Sequence, residues 1–326
     1  MTVRHQSTFT AVFCLWAFVA GVASAAPSVV ATVRPLHSLV AAVTDGVTEP
    51  DLLLDGAESP HSYSLTPSDA AALANADIVV WVGEPLETFL QRPLAALAKN
   101  ATVLTLSEDR NIRFRANRSG GAWGADHDGH ADDAHRQGDD HGHDHGHDHG
   151  HGEDDGHIWL DPENAGHIIR TVRDALVAAD PPNQDAYVRN ADTALQRVTR
   201  LEEKLSLQLA PVRAAPFVTA HDALQYFDRY YQLNAVGAVT LTPDRAPSAR
   251  RLAEIEARVK EMRAVCLLSE PGYEPAVMRV IADAASTRAG EVDPLGLKLA
   301  PGPDLYFDLM QGLADSLIGC LGGGPE

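Results

Sequence analysis

Twenty-eight consecutive residues, Asn183 to Ala210, contain neither glycine nor proline. Within them Tyr187, Ala191, Ala194, Leu195, Val198, Leu201, Leu205 and Leu209 recur at helical spacing, which predicts one continuous helix. At 1.5 Å per residue such a helix measures about 42 Å. That length suits a rigid connection between two lobes better than a packed internal element, although an ordinary surface helix satisfies the same periodicity.

On both sides of this stretch, short apolar runs alternate with helical patterns. Before it come strands at Ser28–Val33, Asp51–Leu54, Ile78–Val82 and Thr102–Leu106, with helices after Arg34, from Pro67, around Phe89–Leu97 and over Glu163–Ala179. Thr66-Pro67-Ser68-Asp69 has the form of a helix start, with Thr66 at the N-cap, Pro67 in the first turn and Asp69 placed to close a capping box. After it come strands at Phe217–Ala220, Leu233–Val239 and Val265–Ser269, with helices over Leu224–Tyr231, Ser248–Met262, Pro275–Ala284 and beyond Asp304. Strands alternating with helices imply parallel sheets covered on both faces. The expected architecture is α/β: an N-terminal lobe over 26–180, a linking helix over 181–211 and a C-terminal lobe over 212–326.

Arg4 and His5, an apolar run from Ala11 to Ala20, and Ala23-Ser24-Ala25 make the three-part pattern of a secretory signal peptide over residues 1–25, with cleavage before Ala26. The apolar run is short for a bilayer core of about 30 Å, so a soluble protein outside the cytoplasm, in the periplasm, is expected. Cys266 and Cys320 remain after cleavage. An even count in an exported protein suggests one disulfide, worth about 4 kcal/mol of unfolded-state entropy; two buried thiols are the alternative.

The formal net charge is −19. Eleven acidic residues against one arginine between Asp126 and Asp155 supply −10 of it. Basic clusters are absent, which argues against nucleic acid, and an acidic surface favours cations. Residues 117–155 are poor in apolar side chains and rich in Gly, Asp and His, the composition of a disordered loop. His141, His143, His145, His147, His149 and His151 alternate there with Gly and Asp, after His127, His130 and His135. Imidazole suits zinc, copper and nickel, and ligands on a flexible tract lose entropy on binding, so each such site should be weak. Removing Asp126 to Asp155 is therefore expected to leave one tight site elsewhere.

That site is sought among histidines in the loops at strand ends, where ligands of open parallel sheets bind. His61, His157 and His221 stand in such loops, separated by 96 and 64 residues. These separations exclude a small zinc-finger module, and three distant imidazoles could hold an ion while leaving one tetrahedral position open. A lone loop histidine carries little weight, and His5, His37 and His167 are read as ordinary surface or hydrogen-bonding residues.

The pattern resembles the zinc-specific solute-binding proteins of ABC importers, the ZnuA type. The resemblance spans the mature chain and rests on Pro60-His61-Ser62-Tyr63 with Thr66-Pro67-Ser68-Asp69, the His-rich tract, His157-Ile158-Trp159-Leu160-Asp161-Pro162, His221-Asp222-Ala223 with Tyr226-Phe227, Ser269-Glu270-Pro271, and Asp293-Pro294-Leu295-Gly296. It implies two Rossmann-like lobes with parallel sheets, joined by a long rigid helix, and a metal in the cleft between them. It implies Zn2+ held by His61, His157 and His221, a disulfide between Cys266 and Cys320, and a monomer serving an ABC permease in the inner membrane. Some zinc members carry Glu just before the first ligand histidine. Pro60 stands there in this chain, with Glu58 further back, so the fourth position falls to water or to Asp293, whose counterpart is a ligand in manganese relatives. Other readings are an extracellular metal store or adhesin of the same fold, a manganese-type binder, and a zinc hydrolase. The last needs a general base at the metal and a substrate pocket; no His-Glu-x-x-His helix is present.

Overall fold

The structure is a computed structural model and describes residues 25–56, 59–61, 63–118, 123, 154–239, 248–272 and 275–323. Residues 1–24 of the expected leader lie outside the described residues, as do His141, His143, His145, His147, His149 and His151.

The first lobe is built on β1 (Val29–Ala31), β2 (Asp51–Leu52), β3 (Ile78–Trp81) and β4 (Thr102–Thr105), with α1 (Arg34–Thr44), α2 (Pro67–Asn75), α3 (Glu84–Glu87) and α4 (Gln91–Leu97) between them. The strands lie in the order β2-β1-β3-β4, and every neighbouring pair is parallel. Two-residue strands β5 (Arg115–Ala116) and β6 (Asp154–Asp155) then pair antiparallel. Helices α5 (Pro162–Ala179) and α6 (Gln184–Leu209) carry the chain to the second lobe. That lobe holds β7 (Phe217–Thr219), α7 (Gln225–Tyr231), β8 (Ala235–Ala238), α8 (Ala249–Glu261), β9 (Cys266–Ser269), α9 (Pro275–Ala285), β10 (Arg288–Glu291) and α10 (Leu305–Leu321). Its sheet, β10-β9-β7-β8, is again wholly parallel. The α/β architecture with two parallel sheets in two lobes is as expected. No helix among the described residues is long and apolar enough to cross a membrane.

Local chemistry accounts for the elements. The central strands β1, β3 and β9 are buried along their whole length, as parallel strands covered on both faces must be. The capping box at Thr66 forms with both of its bonds. The Asp161 carboxylate caps α5 by accepting from the Glu163 backbone N–H at 2.9 Å. The expected strands run one to three residues too long, and backbone bonding continues just past the strand ends, as Thr32 N donates to Val80 O of β3 at 3.1 Å. Strand β10 was not expected: Arg288-Ala289-Gly290-Glu291 is mostly exposed and has no apolar run, so only backbone pairing with β9 makes it a strand.

The expectation for the long helix needs correcting. It buries Tyr187, Ala191, Ala194, Val198, Leu205 and Leu209 and packs along α1, α5 and α10, so it is an internal packed element as well as a connection. Burying Val198, Leu205 and Leu209 contributes about 1.5–3 kcal/mol each, which a free-standing strut would not gain. One continuous apolar core therefore runs from the first sheet through α5 and α6 to Phe217, Tyr226, Leu268 and α10. A second cluster, with Val218, Val239, Ile255, Val259 and Ile281, fills the outer part of the second lobe. Across the lobes, Tyr306 N donates to Ser38 Oγ at 2.9 Å and Arg34 Nη1 to Leu299 O at 3.0 Å. A Cys266–Cys320 disulfide ties β9 to α10, with Cα atoms 5.9 Å apart.

Candidate metal centre

The chain order of each sheet places its reversal at the middle strands, between β1 and β3 and between β7 and β9. The carboxyl ends of strands at such reversals open the crevices that bind ligands. His221 follows β7 and Glu270 follows β9. From the first lobe come His61, in the loop between β2 and α2, and His157, between β6 and the 3-10 turn Ile158–Leu160.

The loops are held by local bonds. Tyr63 Oη donates to Asp69 Oδ2 at 2.8 Å and Thr66 N donates to the same oxygen at 2.7 Å, so the capped start of α2 fixes the segment beyond His61. Trp159 is buried with its ring 5.5 Å from that of His157, and its Nε1 donates to Pro294 O at 2.9 Å. That bond brings the Asp293-Pro294 turn of the second lobe against the His157 segment.

The three histidines converge from segments far apart in the chain. Ring centroids are 5.6 Å apart for His61 and His157, 5.7 Å for His61 and His221, and 5.3 Å for His157 and His221. One ring nitrogen from each lies within 4.8 Å of the other two, and this is the one group of potential metal-holding side chains among the described residues. A tetrahedral ion with bonds of about 2.0–2.1 Å spaces its ligand nitrogens about 3.3 Å apart, a short contraction from this arrangement. His157 is buried, His221 half-buried and His61 exposed toward solvent.

Carboxylates stand behind two of the rings. Asp155 Oδ1 lies 2.7 Å from His157 Nδ1 and also accepts from the His157 backbone N–H at 2.9 Å. Glu270 Oε1 lies 3.4 Å from His221 Nδ1. A carboxylate at Nδ1 fixes the tautomer and leaves Nε2 for an ion. His61 reaches solvent as a residue, but its ring faces the other two histidines; desolvation there, with the neighbouring His157 and His221, pulls its pKa from 6.5 down to about 3, so that ring stays neutral and ready to donate a lone pair. Burial also lowers His221, but the hydrogen bond and charge of Glu270 outweigh it and leave this pKa raised above 6.5.

Asp293 is not part of the three-histidine group. Its Oδ2 accepts from Lys298 N at 3.0 Å, while Oδ1 is buried without a hydrogen-bond partner among the described residues. His37 has the ordinary role expected of it, its Nε2 lying 2.9 Å from Pro50 O. The loop boundary expected at 117–155 does not stand. Asn117, Arg118, Asp154 and Asp155 have defined places in the structure, and Asp155, a residue that composition gave no reason to single out, touches a site histidine. A deletion running through Asp155 would cut into the site.

A family model described as "Zinc-uptake complex component A periplasmic", ZnuA, matches residues 29–320. The chain belongs to the ZnuA family. The high-affinity zinc uptake system protein ZnuA of Brucella abortus (strain 2308) is 38% identical over 326 residues, covering 97% of this chain and 96% of that protein. Its counterpart from Yersinia pestis is 33% identical over 307 residues, covering 91% and 92%. Among solved structures, a crystal structure of ZnuA aligns with a TM-score of 0.71 at 20% identity, covering 91% of this chain and 99% of that one. Zn(II)-bound AdcA from Streptococcus pneumoniae aligns with a TM-score of 0.69 at 23% identity, covering 90% and 57%. These structural likenesses establish the ZnuA-type fold.

Proposed function

We propose that the chain is a periplasmic zinc-binding protein that captures Zn2+ between its lobes and delivers it to the permease of an ABC importer. The observation that carries this reading is the convergence of His61, His157 and His221, each offering a ring nitrogen within 4.8 Å of the others. Three neutral imidazoles suit zinc better than the harder manganese ion. The named role of the ZnuA relatives, high-affinity zinc uptake, agrees with it. In this reading the ligands are His61, His157 and His221 through their ring nitrogens. The Oδ1 of Asp293, buried without a partner among the described residues, supports that carboxylate as the fourth ligand.

The cycle is capture and release without a chemical step. A leader over residues 1–25 directs export, and the mature protein acts as a monomer. The His-rich tract, His141 to His151, gathers zinc weakly, and the three-histidine centre holds it tightly until the permease draws it off.

Zinc and manganese calorimetry on the protein beside its His221→Ala variant tests the proposal, with a competing chelator to occupy the weak sites. One tight zinc site, lost in the variant, with weak manganese binding, is the expected result. Equal tight binding by the variant would move the principal site elsewhere in the chain.

A further inference from the structure

We infer that the two-stranded stem β5–β6, at the base of the His-rich insertion, is a positioning element of the metal centre, Asp155 holding the ring of His157 and Arg118 holding the loop of His221. This inference rests on the zinc-centre reading above.

A ladder of two residues per strand is too short to persist alone. Side chains from α7 tie it down. Tyr226 Oη donates to Asp155 O at 2.8 Å and accepts from Arg115 N at 3.0 Å, so one hydroxyl bonds both strands. Gln225 Nε2 donates to Ala116 O at 3.1 Å. Burial, followed by the nearby Asp155 charge, pushes the Tyr226 hydroxyl well up, and it stays a donor. Helix α7 begins four residues after His221, so the stem is fastened beside the segment that presents this histidine.

The leaving end of the insertion then touches one histidine, and the entering end touches the residue beside another. At the entering end, Arg118 Nε donates to Asp222 Oδ2 at 2.8 Å, its Nη2 donates to Asp222 Oδ1 to complete the fork, and Nη2 also reaches Asp228 Oδ2 at 2.8 Å. The guanidinium lies over the Trp123 ring, 3.6 Å from its centroid. Asp222 is the residue after His221, so this clamp sets the path of the His221 loop. At the leaving end, Asp155 is 2% exposed and spends Oδ1 on both the backbone and the ring of His157. Its Oδ2 is buried without a partner among the described residues. A buried carboxylate left half-satisfied is a poor device for stability alone. Orienting the ring of a histidine that must present Nε2 accounts for it better.

The test uses the full chain, with the tight site resolved in the presence of a competing chelator. Zinc affinity, metal-free thermal midpoint and the visible absorption of bound cobalt(II) are compared in wild type, Asp155→Asn, Arg118→Gln, His157→Ala and deletions of 126–152 and 126–155. Both stem point variants should lose about 10- to 100-fold in zinc affinity and alter the cobalt spectrum; the metal-free midpoint should hold in Asp155→Asn, whereas Arg118→Gln, which strips the partner from the buried Asp228, should lower it as well. The shorter deletion should keep the tight site and the longer one should weaken it as Asp155→Asn does. Wild-type affinity and spectrum in both stem variants, with loss in His157→Ala, would show that the stem only closes a loop. An affinity loss in Asp155→Asn matched by a lower metal-free midpoint would overturn the inference in the same way. Full binding by His157→Ala would instead remove the zinc-centre reading, and this inference with it.

Discussion

Glu270 Oε1 lies 3.4 Å from Nδ1 of His221, across the gap between the carboxyl ends of neighbouring strands β9 and β7. The carboxylate is 14% exposed and His221 is 35% exposed at the side chain, so the pair is shielded enough for its charge to matter. With Nδ1 engaged by the carboxylate, Nε2 is the nitrogen left for an ion, and the negative charge makes it a better donor. Glu270→Gln keeps the shape and removes the charge. It should weaken zinc binding at pH 7 by about tenfold or more without changing the number of tight sites. Calorimetry checks this, and an unchanged affinity would show that Glu270 does not act on the ion through His221.

The pH dependence of zinc binding follows from the same pair. Only neutral imidazole binds metal. His221 has a pKa raised above 6.5 and takes up a proton before pH falls that far, whereas His61 at about 3 stays neutral throughout the physiological range. Zinc affinity should therefore begin to fall above pH 6.5 as pH is lowered. In Glu270→Gln the fall should move to lower pH, since the group that raises His221 is gone. For the metal-free fold the two rings act in different windows. His61, lowered in the fold, favours folding above its unfolded pKa of 6.5, and that contribution is lost as pH falls toward about 3. His221, raised in the fold, adds stability below 6.5 that is lost as pH rises through its folded value. Chelator-competition titrations from pH 8 to pH 5.5 measure the first effect, and urea unfolding of the metal-free protein over pH 3 to 8 the second. A zinc affinity that is flat across that range would contradict histidine ligation.

The site was legible in the sequence where a residue stood in a recognisable place relative to a strand. His221 directly follows the apolar run of β7 and is the clear case, whereas His61 and His157 stood out from other loop histidines through the family resemblance of their motifs. Asp155 did not stand out. It is one of eleven acidic residues between 126 and 155, and composition gives it no mark that separates it from Asp139 or Asp148. Its role comes from a two-residue antiparallel pairing that leaves no periodicity to read. The long helix shows the same limit: apolar spacing gave its length and inner face, but the partners α1, α5 and α10 are long-range facts of packing. Strand β10 lacked even a pattern, because at a sheet edge the backbone alone can make a strand.

The Cys266–Cys320 bridge joins a central strand to the last helix across 54 residues and is not part of the three-histidine group. Constraining a loop of that length in the unfolded chain contributes about 4 kcal/mol. A Cys266→Ser, Cys320→Ser double variant should lose stability on that scale in urea while its zinc affinity at low denaturant stays that of wild type. Chemical denaturation and calorimetry on the same sample separate the two. Loss of zinc affinity along with stability would mean that α10 positions the cleft as well as closing the core.

Gly156 lies between Asp155 and His157 and has no room for a side chain. A Cβ there would sit 2.7 Å from Leu86 Cβ and 3.1 Å from the Leu86 backbone. Leu86 has little freedom to retreat, because it is buried in α3 beside Glu87. The wholly buried Glu87 carboxyl, its pKa pushed up to about 7 by burial, accepts from Val82 N at 3.0 Å, Gly83 N at 3.1 Å and the Thr32 hydroxyl, fastening α3 to the ends of β1 and β3. Gly156→Ala must therefore displace its own segment, carrying Asp155 and His157 with it. Overpacking of this kind costs about 1–3 kcal/mol, and the movement should separate His157 from His61 and His221. Stability and zinc affinity should both fall in Gly156→Ala, whereas Gly46→Ala, at a turn with nothing within 4 Å of the added carbon, should lose stability through its positive φ and leave zinc affinity intact. Urea unfolding and zinc titration of the two variants decide the matter. Wild-type affinity in Gly156→Ala would show that the segment yields without moving its histidine.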